Sequence, residues 1–203
     1  METFNRTKNT YFYAIGISYQ KADAELRGKF SLTEEHREKL SHQARISGIE
    51  SLLVISTCNR TELYGFAQHP FKLIKLLCDF TQGDVNDFQQ VGYVMKSHEA
   101  ISHFFNVATG LDSQILGDFE IISQIKKSFI DSKKHHLADA FLERLVNAAI
   151  QASKKIKSET GLSTGATSVS FASVKYILEN ARLTEKQNIL LYGTGKIGRN
   201  TCE

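Results

Sequence analysis

Four short runs of strand-forming residues, with helix-like stretches between them, restrict this chain more than any other feature. They are Tyr11–Ser18 (YFYAIGIS), Ser51–Thr57 (SLLVIST), Glu62–Ala67 (ELYGFA) and Val91–Met95 (VGYVM). Their aromatic and β-branched residues suit a pleated, buried surface. Between the first two runs, Ser31-Leu32-Thr33-Glu34 has capping-box spacing. Leu32, His36, Leu40 and Ile46 then predict a loosely amphipathic helix to about Ser47. His69-Pro70 opens a second helix carrying Phe71, Ile74, Leu77 and Cys78. Only Cys58, Asn59, Arg60 and Thr61 separate the second and third runs, so a tight turn joins them.

The order βαββαβ predicts an α/β (α+β) protein built on a ferredoxin-like, split βαβ sheet. Helices take over from Ser97, near 98–109, 118–134, 138–159 and 168–182, with glycines at 110, 117, 161 and 165 as punctuation. This is a helical subdomain following the sheet. Last comes an apolar strand, Asn188–Tyr192 (NILLY), running into Gly193-Thr194-Gly195-Lys196-Ile197-Gly198. A G-x-G-x-x-G turn between a strand and a helix is the dinucleotide fingerprint, in which a helix N-terminus faces a pyrophosphate. The expected division is a first domain over 1–160, a connecting helical segment over 161–186, and the truncated start of a Rossmann domain over 187–203.

Charge and composition exclude several classes. Lys+Arg 25 against Asp+Glu 22 leaves +3, too balanced for a polybasic tail. One proline and 13 glycines exclude collagen-like and low-complexity chains. No apolar run reaches the roughly 18 residues that span a bilayer. The opening METFNRTKNT lacks the apolar core of a signal peptide. Three cysteines, Cys58, Cys78 and Cys202, cannot all pair and match no metal-ligand spacing. The expectation is a cytoplasmic protein without a structural metal or membrane segment. One segment is locally basic. Lys126, Lys127, Lys133, Lys134, Arg144, Lys154, Lys155 and Lys157 outnumber Asp131, Asp139 and Glu143 by five. Such a helical surface suits nucleic-acid phosphates, although most charge runs are simply solvated.

Cys58 differs from the other two cysteines. Cys78 lies on the apolar face of a helix, whereas Cys58 sits among polar residues in Ser56-Thr57-Cys58-Asn59-Arg60-Thr61-Glu62-Leu63-Tyr64. A turn makes a thiol reachable, and a nearby cation such as Arg60 favours the nucleophilic thiolate. This nonapeptide resembles the signature of the glutamyl-tRNA reductases. Further matches follow in the family's order: Ser102-His103, Gly110-Leu111-Asp112-Ser113-Gln114-Ile115-Leu116-Gly117, Ile121 through Gln124-Ile125-Lys126, and the terminal glycine turn. Together they cover most of the chain.

The resemblance implies a two-step reaction in tetrapyrrole biosynthesis. Cys58 attacks the ester joining glutamate to its tRNA, and NADPH reduces the resulting thioester to glutamate-1-semialdehyde. By family position, Thr57, Cys58, Asn59 and Arg60 line the glutamate pocket, with Ser113, Asp118, Phe119, Glu120 and Gln124. Arg60 suits the glutamyl carboxylate, since a guanidinium pairs with a carboxylate bidentately. The rival role for Arg60 is a surface ion pair with Glu62 or another acid. His103 falls on the family's catalytically important position, and Gly193, Thr194, Gly195, Lys196, Ile197 and Gly198 on its NADPH-binding turn. One departure is visible: the family commonly has Gly-Glu-Pro-Gln where this chain has Gly117-Asp118-Phe119-Glu120. The implied partners are glutamyl-tRNA, a second subunit in the longer family chain, and the downstream semialdehyde aminomutase. The runner-up is an RNA-binding module on a ferredoxin-like sheet, which has no use for Cys58 or the glycine turn.

Overall fold

The structure, a computed structural model, describes residues 10–118, 120–160, 169–180 and 189–202. Four strands, β1 (Tyr11–Ser18), β2 (Leu52–Ser56), β3 (Arg60–Ala67) and β4 (Tyr93–Lys96), form one sheet in the order β2-β3-β1-β4. Every neighbouring pair is antiparallel. Between β1 and β2 lie α1 (Ala24–Lys29) and α2 (Glu34–Ile46); between β3 and β4 lie α3 (Phe71–Asp79) and α4 (Val85–Val91). After the sheet come α5 (His98–Ala108), α6 (Glu120–Lys134) and α7 (Ala140–Glu159), then α8 (Val169–Asn180) and α9 (Lys196–Cys202).

Both faces of the sheet are covered, which is why its strands read as continuous apolar runs. Tyr13, Ile15, Ile17, Val54 and Leu63 pack with Phe30, Leu40, Leu73, Leu77 and Phe88 on one side. Phe12, Ala14, Leu53, Ile55 and Tyr64 pack with Phe104, Val107, Ile125, Leu142 and Val146 on the other. Burying each such side chain contributes about 1.5–3 kcal/mol, so the helices on the second face hold α5 firmly against β1 and β3. Among the described residues no helix is long and apolar enough to cross a membrane.

Several boundaries differ from the sequence expectation. The third strand begins at Arg60, because Arg60 pairs with Ser18 and Thr61 pairs with both Ile17 and Ser56. The turn therefore shrinks to Thr57, Cys58 and Asn59. Two short helices escaped the periodicity: α1 has no buried residue and α4 only Phe88. Each is instead started by an aspartate cap, Asp23 accepting from Leu26 N at 2.8 Å and Asp84 from Asp87 N at 2.7 Å. The second of these absorbs Val91, so β4 starts at Tyr93. Helix α2 is capped by Thr33, not by Ser31, whose hydroxyl donates to the Gly28 carbonyl. Its buried stripe is Leu40, Ser41 and Ala44, while Ile46 is exposed.

The strand expected before the glycine turn is not formed by Ile189–Tyr192, which make no strand pairing among the described residues. A strand is held by a neighbour's backbone groups, and Leu190 and Tyr192 lie exposed without one. Gly161, Gly165, Asn188 and the rest of 161–168 and 181–188 lie outside the described residues.

Candidate active site

The Cys58 turn is stapled from several directions. Thr57 N donates to the Arg60 carbonyl at 2.8 Å. Asn59 N and Arg60 N both donate to Thr57 Oγ1 at 3.2 Å. From the segment after β1, Tyr19 N donates to the Asn59 carbonyl at 2.9 Å and Arg27 Nε to the Cys58 carbonyl at 3.1 Å. The backbone is thus fixed while the thiol stays exposed. Cys78 is the opposite case: burial, then the nearby acids Asp79, Asp84 and Asp87, push its thiol up to about 11.

Arg60 is only 3% exposed. Its ion pair with Glu62 is therefore buried rather than on the surface, at 2.9 Å, and a second pair reaches Asp112 at 3.2 Å. Its other terminal nitrogen donates to the Asp112 backbone carbonyl. Burial opposes the guanidinium charge, but Glu62 and Asp112 outweigh it and raise the pKa. The positive charge expected beside Cys58 is therefore already matched by two acids. Arg27, absent from the sequence reading, is the cation whose side chain reaches the Cys58 backbone.

Glu62 is fully buried and accepts four donors. Oε1 takes Arg60, the Tyr93 hydroxyl and His103 Nε2, the last at 2.9 Å; Oε2 takes the Tyr64 hydroxyl at 2.7 Å. Burial alone would raise its pKa, yet the His103 hydrogen bond and the Arg60 charge bring it down to about 2. The sheet register makes room for this cluster. Gly16 of β1 lies between Glu62 of β3 and Tyr93 of β4. A Cβ at Gly16 would sit 2.6 Å from the Thr61 carbonyl oxygen and 2.8 Å from Glu62 Cγ. His103, on α5, is nearly buried, flanked by Tyr64 and Tyr93 with ring centroids at 6.3 and 5.2 Å.

Asp112 comes from a loop closed at its neck. Gly110 and Gly117 take φ of +75° and +81°, which favours glycine, and Gly117 N donates to the Gly110 carbonyl at 3.0 Å. Leu111 N and Asp112 N both donate to the Asn106 carbonyl, and Gln20 donates to Asp112 Oδ1. Beside this cluster opens a cleft of about 410 Å³, lined by Ser18, Gln20, Lys21, Tyr93, His103 and Asp112 among others. It adjoins the Cys58 turn through Ser18, which pairs with Arg60 in the sheet.

The other predicted pocket residues are spread more widely. Ser113 is half-buried on the same loop, and Asp118 ends it by accepting from Glu120 N at 2.9 Å. Glu120 and Gln124 share an exposed face of α6, one turn apart. Phe119 lies outside the described residues. The structure gathers Arg60 and His103 around Glu62, with Tyr64, Tyr93 and Asp112, while Thr57 and Asn59 shape the Cys58 turn; Glu62 entered the sequence reading only as a surface partner of Arg60, and Tyr64, Tyr93 and Asp112 were not singled out. One signal was available: Arg60, Glu62 and Tyr64 alternate along a strand, so three polar groups share one face of an apolar sheet. On the basic helices, Lys133, Lys134 and Lys155 are drawn into ion pairs with Glu143, Glu38 and Glu159.

In the glycine turn, Gly193 has a φ of +127° and a Cβ at Gly195 would meet open space. A Cβ at Gly198 would come within 2.2 Å of the Gly193 carbonyl, so the turn closes onto α9 only because both positions are glycine. Arg199 Nε donates to the Thr194 carbonyl at 3.1 Å. A compact turn with open space over Gly195 fits the close approach of a pyrophosphate.

These features describe a mixed helix-and-strand domain whose helix-covered antiparallel sheet carries an exposed, backbone-stapled thiol and a polar cleft. A family model described as "Glutamyl-tRNAGlu reductase, N-terminal domain" matches residues 15–160, and the chain belongs to that family. Over all 203 residues it is 65% identical to the glutamyl-tRNA reductase of Christiangramia forsetii and 64% identical to that of Flavobacterium psychrophilum, covering 49% of each. The chain thus spans about half the length of the curated relatives it matches. Its fold is similar to the solved glutamyl-tRNA reductase from Methanopyrus kandleri, with a TM-score of 0.67 and 25% identity, covering 94% of this chain and 45% of that one.

Proposed function

We propose that this chain carries the acyl-transfer half of an NADPH-dependent reductase that converts glutamyl-tRNA(Glu) to glutamate-1-semialdehyde for tetrapyrrole biosynthesis. The observation that carries this reading is the exposed Cys58 thiol on a turn held by Thr57, Tyr19 and Arg27, beside a cleft rimmed by His103 and Asp112. In the first step a bond forms between Cys58 Sγ and the glutamyl carbonyl carbon. The bond from that carbon to the tRNA 3′ oxygen breaks, and the thiol proton ends on the departing hydroxyl. His103 is the titratable ring on the cleft wall able to relay it. The two glutamyl oxygens suit the Arg60 fork, which Asp112 must release when substrate arrives. By family position Ser113, Asp118, Phe119, Glu120 and Gln124 extend the substrate pocket beyond the cleft, which the described ones among them do not line.

When bound at Gly193–Gly198, NADPH supplies the hydride. Residues 1–160 are the catalytic domain, 161–186 the connector, and 187–203 the opening of the nucleotide-binding Rossmann domain. The β2-β3-β1-β4 antiparallel order supports reading the sheet as ferredoxin-like. In the complete protein the partners are glutamyl-tRNA, a second subunit and the aminomutase that consumes the semialdehyde, in the cytoplasm. The chemistry fits sulfur, which attacks an activated ester well and leaves well once the carbonyl carbon is reduced.

Mass spectrometry after mixing with glutamyl-tRNA tests the reading. A glutamyl adduct is expected on Cys58, lost in Cys58→Ser and retained in Cys78→Ser. An adduct confined to Cys78 or Cys202, or none at all, refutes it.

A further inference from the structure

The proton on the buried carboxylate–imidazole contact can be assigned from chemistry. With its pKa brought down to about 2, Glu62 is a carboxylate and can only accept hydrogen bonds. Its 2.9 Å contact with His103 Nε2 therefore places a proton on Nε2. In the neutral ring the lone pair is then on Nδ1. Nδ1 lies 3.7 Å from Asp112 Oδ2, within ion-pair reach but beyond hydrogen-bond length, so Asp112 faces Nδ1 without accepting a hydrogen bond from it. The other groups around the ring do not compete. Tyr64 and Tyr93 donate their hydroxyls to Glu62, and burial followed by the Glu62 charge raises both phenols, keeping them protonated. Arg60 is held on Glu62 and Asp112.

We propose that Glu62 is a positioning residue for His103, holding the proton on Nε2 so that Nδ1 is the nitrogen that exchanges the proton of acyl transfer. This rests on the acyl-transfer reading above. Glu62 never touches substrate, being fully buried behind His103; it acts through tautomer and ring orientation. The same carboxylate anchors Arg60, so one buried group sets both the base and the carboxylate fork.

The test combines 15N NMR of histidine-labelled protein, with His103 assigned by its loss in His103→Asn, and single-turnover thioester formation across pH. Wild-type protein is expected to show the Nε2–H tautomer. Glu62→Gln, similar in size but uncharged, should populate the Nδ1–H tautomer and displace the pH profile. It should slow acylation by about 10²-fold, the lower end of what a positioned acid–base group supplies. At saturating glutamyl-tRNA, where the Arg60 contribution to binding is not read, adding Glu62→Gln to His103→Asn should cause no further slowing of the acylation step. An Nδ1–H tautomer in the wild-type protein overturns the proposal, and so do independent, multiplicative effects of the two substitutions. If Glu62→Gln does not fold, the wild-type spectrum alone decides the tautomer. Wild-type acylation by His103→Asn removes His103 from the reaction and overturns the catalytic half, whereas a missing Cys58 adduct sinks the acyl-transfer reading itself.

Discussion

Gly16→Ala probes the space on which the buried cluster depends. The added Cβ would lie 2.6 Å from the Thr61 carbonyl oxygen, 2.8 Å from Glu62 Cγ and 3.0 Å from Glu62 Cα, where ordinary contact begins at 3.4 Å. Two of these neighbours are backbone on the central strand β3, which pairs with β1 and β2 at once and cannot move for one contact alone. Overpacking of this kind costs about 1–3 kcal/mol, and a backbone obstacle argues for the upper end. At about 2–4 °C per kcal/mol for a chain of this size, roughly 3 kcal/mol should lower Tm by about 6–12 °C. The control is Gly28→Ala in α1, where a Cβ meets nothing within 4 Å; it should stabilise by about 0.5–1 kcal/mol through helix propensity. Urea and thermal unfolding followed by circular dichroism read both variants. A Gly16→Ala protein as stable as the parent would refute the claim that β1 yields its side chain to make room for Glu62.

Two further outcomes follow from the same cluster. Glu62 has its pKa depressed from 4.5 to about 2, so the folded state binds its proton less readily than the unfolded chain. Its contribution to stability is therefore complete above pH 4.5 and is lost as pH falls toward about 2. Acid unfolding of the parent should be steep across that window and flatter in Glu62→Gln; equal slopes would show that Glu62 is not the titrating group. Arg60→Lys should weaken both fold and substrate use by roughly 1.5–3 kcal/mol, because one ammonium cannot serve Glu62 and Asp112 together as the guanidinium does. A variant with unchanged denaturation midpoint and unchanged preference for glutamyl-tRNA would contradict that.

The sheet was legible because apolar runs covered on both faces leave an unmistakable pattern, and Tyr11–Ser18 forms β1 with the expected ends. The helices α5, α6 and α7 were legible because each buries a long stripe, such as Ile121, Ile125 and Phe129. The two short helices were not, since their existence rests on single aspartate caps rather than on periodicity. At the site, Cys58 stood out by its polar neighbours in sequence. Asp112 and Tyr93 did not, because their roles come from pairing across 52 and 31 residues of chain, which no local window contains. The environment of Arg60 was missed for a related reason. A charged residue next to a turn reads as exposed, and only the pairing of Ser18 with Arg60 shows it to be inside.

The row Glu62–Gly16–Tyr93, running across three strands, has a consequence for how the molecule matures. Slipping β1 by one residue against β3 would set Ile15 or Ile17 opposite Glu62, and either side chain would fill the gap that glycine leaves open. In such a misregistered chain Tyr93 could not reach the carboxylate, and Glu62 would lose one of its four donors while keeping Arg60 and Tyr64 on its own strand. The buried cluster thus favours the native register: a chain threaded one residue out overpacks the gap beside Glu62 and forfeits its Tyr93 contact. Chemistry and topology share one checkpoint, set by the one position on β1 that has no side chain.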